Sequence, residues 1–271
     1  METFGVTLAS VEILSASTLA FRFLRDGGES VVFTPGQFFR FTFTDEKGEF
    51  ERSYSLCNYG SLADSSILDL VISRVEGGRA TEYLFAAEPG VRAQVSGPYG
   101  RLLLPETLPS RLFMVATSVG IAPFLPMLAP VSEALSREEL EVYFLFGVRD
   151  SAEFLYQSLL TDYAKAHPRF HLCVCYSRKM PPEPRPFEFP GYVEVRITAL
   201  TPDPESDRFL LCGNPAMIDD TYNILKQRGF GPRQVTREKY VFARETGATL
   251  IKEMTAEQKQ LLAEKMKKFQ K

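Results

Sequence analysis

Four consecutive residues, Arg52-Ser53-Tyr54-Ser55, combine a cation, an aromatic ring and two hydroxyl groups in a segment whose neighbours predict an extended strand. Side chains alternate along a strand, so Arg52 and Tyr54 would face the same way, about 7 Å apart. An arginine fork binds a pyrophosphate, and a tyrosine ring can lie against a planar aromatic group. This set suits a flavin nucleotide. The alternative is an ordinary strand with an exposed arginine and a half-buried tyrosine. The surrounding residues decide between these two interpretations.

A glycine turn followed by a predicted helix lies about 25 residues beyond Arg52. Its two glycines let the backbone approach a ligand closely, and its threonine can cap the helix. Free N–H groups at a helix start bind phosphate, although an ordinary turn with a helix cap has the same sequence. Because the turn and Arg52 belong to the same predicted sheet, we expect a second phosphate contact here. The turn consists of Gly77, Gly78, Arg79, Ala80 and Thr81.

Two further turns follow apolar segments in the second half of the chain. One is the run TSVGIAP at residues 117–123, and the other begins with Cys212-Gly213. In the second turn Asn214 can cap a helix and Pro215 suits its first position. Turns of this kind lie at the carboxyl ends of parallel strands, where α/β sheets bind ligands. A purely structural strand-to-helix turn is the alternative reading of the second one.

The elements that must position these motifs fall into two groups. Before residue 105, short alternating strands separated by glycine and proline predict a small antiparallel barrel, with one helix starting near Thr81. After it, apolar strands recur about every 30 residues with helical stretches between them, which predicts a parallel α/β sheet. The six strands of the first group are 6–14, 19–24, 38–44, 52–57, 68–74 and 92–96, and those of the second are 112–116, 142–146, 172–176 and 209–212.

We therefore expect domains at residues 1–106 and 107–242, followed by an extension at 243–271. In the extension, Thr255 and Gln258 fit a capping box, and apolar residues follow at helical spacing. An amphipathic helix is predicted. It would pack on its own domain or at a dimer interface, or it would form a docking site for a redox partner.

Composition excludes several classes of protein. A length of 271 residues favours two domains, and 45% hydrophobic with 24% charged residues is typical of globular proteins. The net charge of −3 gives no reason to expect nucleic acid. With no apolar run near 18 residues and no signal-like start, we expect a cytoplasmic protein without a membrane span. The 4 cysteines lack metal-binding spacing and only 2 histidines occur, so no metal site is expected.

In this order and spacing, the motifs resemble the ferredoxin–NADP reductase superfamily. The resemblance covers roughly residues 6–242 and includes Pro35-Gly36-Gln37 and Gly97-Pro98-Tyr99-Gly100. It implies two domains, an N-terminal antiparallel β-barrel that binds FAD and a C-terminal α/β parallel-sheet domain that binds the nicotinamide nucleotide.

The resemblance also implies roles for individual residues in catalysis. Ser55 would lie near the reactive N5 of the flavin, Cys212 would position the nicotinamide ring, and Tyr240 would shield the second flavin face. The residues implied in holding FAD or the nucleotide are Arg52, Ser53, Tyr54, Ser55, Gly77, Gly78, Arg79, Ala80, Thr81, Thr117, Ser118, Gly120, Arg149, Ser177, Arg178, Cys212, Gly213 and Tyr240.

The nucleotide-binding residues depart from the family pattern in one turn and match it at another place. Ser118 stands where the family usually has glycine, and Val119 stands where it usually has threonine or serine. Arg149 and the pair Ser177-Arg178 follow two middle strands, at positions from which NADP-dependent members bind the 2'-phosphate. Two arginine forks suit a dianion, whereas Asp150 beside them would repel it. NADP(H) is the expected nucleotide and NADH is the alternative.

The function that the resemblance implies is electron transfer by an FAD-dependent oxidoreductase. Hydride would pass between the nicotinamide and flavin N5, and single electrons would pass to or from a carrier such as ferredoxin or flavodoxin. Two alternatives stay open: a stand-alone reductase component of an oxygenase, and a non-catalytic nucleotide-sensing or electron-transfer subunit. The chain would act as a monomer or a homodimer.

Overall fold

The computed structural model describes residues 2–59, 65–137 and 139–240. Its first half is a curled sheet of six antiparallel strands, in the spatial order β4-β3-β6-β1-β2-β5, which confirms the predicted antiparallel architecture. The strands are β1 (Glu2–Ser15), β2 (Thr18–Arg25), β3 (Phe38–Asp45), β4 (Gly48–Ser55), β5 (Ile67–Ser73) and β6 (Arg92–Tyr99). One helix, α1 (Arg79–Phe85), lies between β5 and β6.

Aromatic side chains fill the inside of this sheet. On β3, Phe39, Phe41 and Phe43 are at most 1% exposed, and they alternate with residues that face outward. Such alternation buries one face of a strand against a core and leaves the other in water. Tyr83 of α1 packs on Phe43 with ring centroids 5.6 Å apart, so the helix closes one end of the core. The glycine turn that precedes α1 is thereby held beside β4.

The second half is a parallel sheet of six strands in the order β10-β9-β8-β7-β11-β12. The strands are β7 (Arg111–Thr117), β8 (Glu141–Val148), β9 (Phe170–Tyr176), β10 (Glu188–Pro190), β11 (Asp207–Gly213) and β12 (Val235–Lys239). The helices are α2 (Leu128–Arg137), α3 (Gln157–Ala166), α4 (Val193–Ala199) and α5 (Pro215–Gln227), with short 3-10 helices at Ser118–Phe124 and Ser151–Glu153. The four predicted strands are its middle strands, and the prediction missed both edge strands.

Apolar side chains cover both faces of the parallel sheet, as a parallel sheet between helices requires. One face also contacts the first half of the molecule, because Cys57, Val71 and Leu102 belong to the same buried cluster as Met114 and Phe146. The two halves therefore share a hydrophobic contact.

The turns that follow the parallel strands β7 and β11 pack so closely that a glycine is needed on each side of the contact. A Cβ on Gly120 would lie 2.6 Å from the Cα of Gly213 and would also overlap the carbonyl oxygen of Cys212. Gly213 has a φ of 130°, and a Cβ there would lie 2.7 Å from the carbonyl oxygen of Thr117. Contacts this short with backbone atoms exclude any side chain. The two strand-to-helix turns thus form one packed unit.

No single helix in the described ranges has the length and hydropathy to cross a bilayer, although Ser118–Phe124 and Leu128–Arg137, bent by 58°, meet that test as a pair. The predicted helix in the C-terminal extension lies outside the described residues.

Candidate functional site

A cavity of about 640 Å³ lies where the curled sheet meets the parallel sheet, and its volume is typical of a ligand site. Both halves of the molecule contribute to its walls. The predicted site residues that line it are Arg52, Ser53, Tyr54, Ser55, Gly78, Ala80, Thr81 and Tyr240, and they are joined by Phe38, Arg40, Val71, Ser73, Val119, Ala122 and Glu238, among others.

Arg52 and Tyr54 both face this cavity from β4. The ring of Tyr54 packs edge-on against Phe41, with centroids 5.8 Å apart, and burial raises the pKa of its hydroxyl. The Arg52 guanidinium donates to the carbonyl of Glu51 at 2.6 Å, and it pairs with no carboxylate among the described residues. A cation that has no carboxylate partner in the described part of the chain, beside an aromatic wall, is suited to an anionic, aromatic ligand.

The glycine turn places backbone rather than side chains at the cavity. The Thr81 hydroxyl donates to the carbonyl of Val75 at 2.9 Å and fixes the start of α1, where N–H groups lack partners within the helix. Gly77, with a φ of 64°, and Arg79 do not line the cavity. The Arg79 guanidinium instead binds Asp45, at 2.8 Å through Nε, and holds the pKa of that carboxyl at about 2.

Three polar side chains from both halves form a hydrogen-bonded chain at the cavity wall. The Tyr240 hydroxyl donates to Ser55 Oγ at 2.9 Å, and Ser55 donates to the Glu238 carboxylate at 3.0 Å. Burial raises the pKa of Glu238 above its usual range, and the bond from Ser55 opposes that shift only in part. Glu238 thus keeps its proton to a higher pH than an exposed glutamate does.

Sequence reasoning had assigned Ser55 and Tyr240 to the site but had missed Glu238. The available signal was spacing, since Glu238 near the end of β12 lies two residues before Tyr240, and residues two apart in an extended chain face the same side. Cys212 lies next to this chain but is fully buried, and burial, then the nearby Glu238, raises the pKa of its thiol well above the usual value.

The turn at residues 117–123 contacts both the second turn and the curled sheet. The Thr117 hydroxyl accepts a bond from the N–H of Asn214 at 2.9 Å. Ser118 has a φ of 51°, and its hydroxyl lies 3.3 Å from that of Ser73 on β5. Of this turn, Val119 and Ala122 line the cavity, whereas Thr117, Ser118 and Gly120 do not. Asn214 caps α5 as predicted, accepting from Ala216 at 2.8 Å.

The predicted phosphate-binding residues Arg149, Ser177 and Arg178 meet outside the cavity, at the carboxyl ends of β8 and β9. The carbonyl of Arg149 accepts from the N–H groups of Arg178 at 3.1 Å and Lys179 at 3.0 Å. The Arg178 side chain is exposed, whereas the Arg149 guanidinium pairs with Glu153. The structure thus brings these cations together, one paired with a carboxylate and one exposed to solvent.

A cavity between an antiparallel barrel and a parallel nucleotide-binding sheet is typical of two-domain oxidoreductases that use a flavin and a nucleotide. Comparison with known proteins indicates the same class. The family model of the oxidoreductase FAD-binding domain matches residues 5–103, and that of the oxidoreductase NAD-binding domain matches residues 114–223. The chain therefore belongs to the ferredoxin–NADP reductase superfamily and is a flavoenzyme oxidoreductase.

Similar proteins include ferredoxin–NADP reductase B of Sorangium cellulosum, 29% identical over 88% of this chain and 98% of that protein. The phenol hydroxylase P5 protein of Acinetobacter pittii is 25% identical over 92% of this chain and 68% of that protein. The crystal structure of an Amycolatopsis cytochrome P450 reductase superposes with a TM-score of 0.75 at 27% identity, covering 88% of this chain and 69% of that one. A ferredoxin–NADP reductase from Neisseria gonorrhoeae, solved with FAD and NADP, shares the fold at 22% identity and a TM-score of 0.75, over 88% and 99% of the two chains.

Proposed function

We propose that this protein is an FAD-dependent reductase that moves electrons between NADP(H) and a one-electron carrier protein such as ferredoxin or flavodoxin. The observation that carries the proposal is the cavity in which Arg52, Tyr54 and the Gly78 turn of the barrel meet Tyr240 of the nucleotide domain. Ferredoxin–NADP reductases among the relatives support the same assignment.

The chain's own residues fit FAD. Arg52, with Gly78 and Thr81 at the start of α1, would hold the pyrophosphate, because a guanidinium without a carboxylate partner and free N–H groups both favour phosphate oxygens. Tyr54 and Tyr240 would flank the isoalloxazine. When bound, FAD supplies the chemistry that connects two-electron exchange with a nicotinamide to one-electron exchange with a carrier.

The protein would contribute alignment and exclusion of water. The hydrogen-bonded chain from Tyr240 through Ser55 to Glu238 fixes the orientation of all three side chains across the domain boundary. Glu238 would keep its proton to a higher pH than an exposed glutamate, since burial raises its pKa. Cys212 would lie behind the nicotinamide and position it, as a buried, protonated thiol rather than a nucleophile.

Arg178, together with Ser177, would recognise the 2'-phosphate of NADP(H). Loss of a charge-assisted hydrogen bond costs about 1 to 3 kcal/mol in the transition state. Arg178→Ala should therefore lower kcat/KM for NADPH by about tenfold or more and should leave the value for NADH nearly unchanged. Arg137→Ala, which removes an exposed arginine on α2, is the matched control. Equal losses with both nucleotides would reject this role for Arg178.

A direct test of the proposed function is steady-state turnover of the purified flavoprotein. NADPH should reduce a one-electron acceptor protein, and Arg52→Ala should lower both FAD content and turnover. Protein that holds FAD but transfers no electrons from NADPH or NADH would instead support a nucleotide-sensing or electron-transfer subunit.

A second candidate is the reductase component of an oxygenase. Relatives in such systems include the phenol hydroxylase P5 protein and the reductase subunit of an aromatic O-demethylase, 27% identical over 87% of this chain and 69% of that protein. The two candidates differ in the physiological acceptor. Comparing turnover with a free ferredoxin and with an oxygenase component separates them.

A further inference from the structure

Arg149, one of the two arginines expected to bind the 2'-phosphate, forms an ion pair with a carboxylate of the protein. Arg149 donates through Nε to one oxygen of the Glu153 carboxylate at 2.8 Å, and its Nη2 binds the other oxygen. The pair is half-open to solvent, with side chains 50% exposed for Arg149 and 24% for Glu153. The carboxylate thus uses the two-donor edge of the guanidinium, which is also the edge that grips a phosphate.

The ion pair lies next to Arg178, the other arginine expected to bind the 2'-phosphate. The carbonyl of Arg149 accepts from the N–H groups of both Arg178 and Lys179, so the two strand ends are in backbone contact. Asp150, which the sequence suggested would repel a phosphate, is bound elsewhere, because its carboxylate accepts from the N–H of Ala152 at 3.0 Å and caps the short helix. The charge of Asp150 still acts on Arg149, but Glu153 is the carboxylate that binds the Arg149 guanidinium directly.

We propose that Glu153 competes with the 2'-phosphate of NADP(H) for the guanidinium of Arg149 and thereby sets how strongly this chain prefers NADPH over NADH. The inference rests on the proposed function, since it assumes that a nicotinamide nucleotide binds at the ends of β8 and β9. NADPH has to displace the carboxylate before it gains Arg149, whereas NADH leaves the pair intact. Arg178 is available to the phosphate at once.

The expected gain in affinity follows from the solvent exposure of the Arg149–Glu153 ion pair. A solvent-exposed bidentate pair contributes a factor of up to about five to an equilibrium constant. A carboxylate left beside a dianion adds repulsion, screened by water and salt. Removing the charge of Glu153 should strengthen binding of a 2'-phosphate by about five- to tenfold.

The test measures binding to the FAD-containing protein by calorimetry, with 2',5'-ADP and 5'-ADP as probes, and needs no turnover. Glu153→Gln should tighten 2',5'-ADP by about five- to tenfold and leave 5'-ADP unchanged. In an Arg149→Met background the same substitution should give less than about a twofold gain, because the guanidinium that it frees is absent. Glu133→Gln, which breaks the i,i+4 pair with Arg137 on α2, is the matched control and should change neither affinity.

Kinetics gives an independent result. The ratio of kcat/KM for NADPH to that for NADH should rise in Glu153→Gln by the same factor as the affinity for 2',5'-ADP.

Two outcomes would overturn the inference: no gain for 2',5'-ADP in Glu153→Gln, or an equal gain in the Arg149→Met background. If Glu153→Gln has no effect while Arg178→Ala weakens 2',5'-ADP, the competition fails and the proposed function stands. If no nucleotide reduces the flavin in any variant, the proposed function fails and the binding data still decide the role of Glu153.

Discussion

At the scale of single residues, the wall of the cavity contains a hydrogen-bonded chain that spans the domain boundary. Ser55 comes from β4, and Glu238 and Tyr240 come from the end of the chain's second half, 183 and 185 residues away. The resemblance of their motifs to the family pattern singled out Ser55 and Tyr240, which both line the cavity, and their roles toward a flavin stay predictions. Glu238 was not predicted, because its burial and its bond to Ser55 arise only from tertiary packing.

The raised pKa of Glu238 has a consequence for stability. A carboxyl with a raised pKa in the folded state stabilises the fold when protonated, and that contribution is lost as pH rises through the folded-state pKa. Glu238→Gln keeps a neutral group at all pH values. We expect the melting temperatures of the variant and the wild type to agree near pH 4 and the variant to melt higher near pH 8.

Thermal unfolding of the flavin-bound protein across this pH range measures the effect. Glu49→Gln, an exposed position on β4, is the control and should give parallel curves. A difference between Glu238→Gln and wild type that shrinks toward high pH would contradict a raised pKa.

At the scale of elements, hydrophobic patterning predicted the strands that carry strong periodicity or long apolar runs. All six strands of the curled sheet and the four middle strands of the parallel sheet were found this way. The two missed strands lie at the edges of their sheet. β10 has only three residues and ends in Pro190, and β12 is mostly polar, so neither has the apolar run that marks a buried strand.

The contact between the turns that follow β7 and β11 gives an element-level prediction. Gly120→Ala would place a methyl group against backbone atoms of Cys212 and Gly213, which cannot rotate away as a side chain does. The free energy of unfolding should fall by about 3 kcal/mol. Gly48→Ala, at a φ of 97° with no atom nearby, adds backbone strain without a clash and should cost about 1 kcal/mol. Urea unfolding monitored by circular dichroism measures the stability of both variants. Equal losses of unfolding free energy in Gly120→Ala and Gly48→Ala would contradict the packing argument.

A buried ion pair joins the amino ends of the same two strands. Arg111 binds Asp207 through Nε at 2.8 Å and Nη2 at 2.6 Å, and the Asp207 side chain is 0% exposed. Arg111→Met would leave a buried carboxylate that retains only the hydroxyl of Ser206 and the N–H of Asp203. We expect a loss of about 3 kcal/mol in the free energy of unfolding.

The matched control for this pair is Arg22→Met, which breaks the more exposed pair with Asp69 on the barrel. It should cost less than about 1 kcal/mol. Chemical denaturation at neutral pH compares the two variants. If Arg22→Met loses as much unfolding free energy as Arg111→Met, burial does not determine the contribution of these ion pairs to stability.

At the scale of the whole molecule, the proposed function belongs to the cavity where the two halves meet. The order of motifs along the chain was enough to predict the architecture and the cofactors, because each half carries its own pattern. The cavity between them depends on long-range contacts such as Tyr240 to Ser55, which local patterning does not encode. The pairing of Arg149 with Glu153 escaped prediction because it depends on the geometry of a short helix rather than on residue type.

We propose above all that the cavity places FAD where a nicotinamide nucleotide can reduce it. The most direct test is an anaerobic titration of the purified protein with NADPH, and separately with NADH, followed in the visible spectrum. We expect the oxidised flavin band to disappear in proportion to added NADPH and a one-electron acceptor to restore it. A bound flavin whose spectrum neither nucleotide changes would contradict the account.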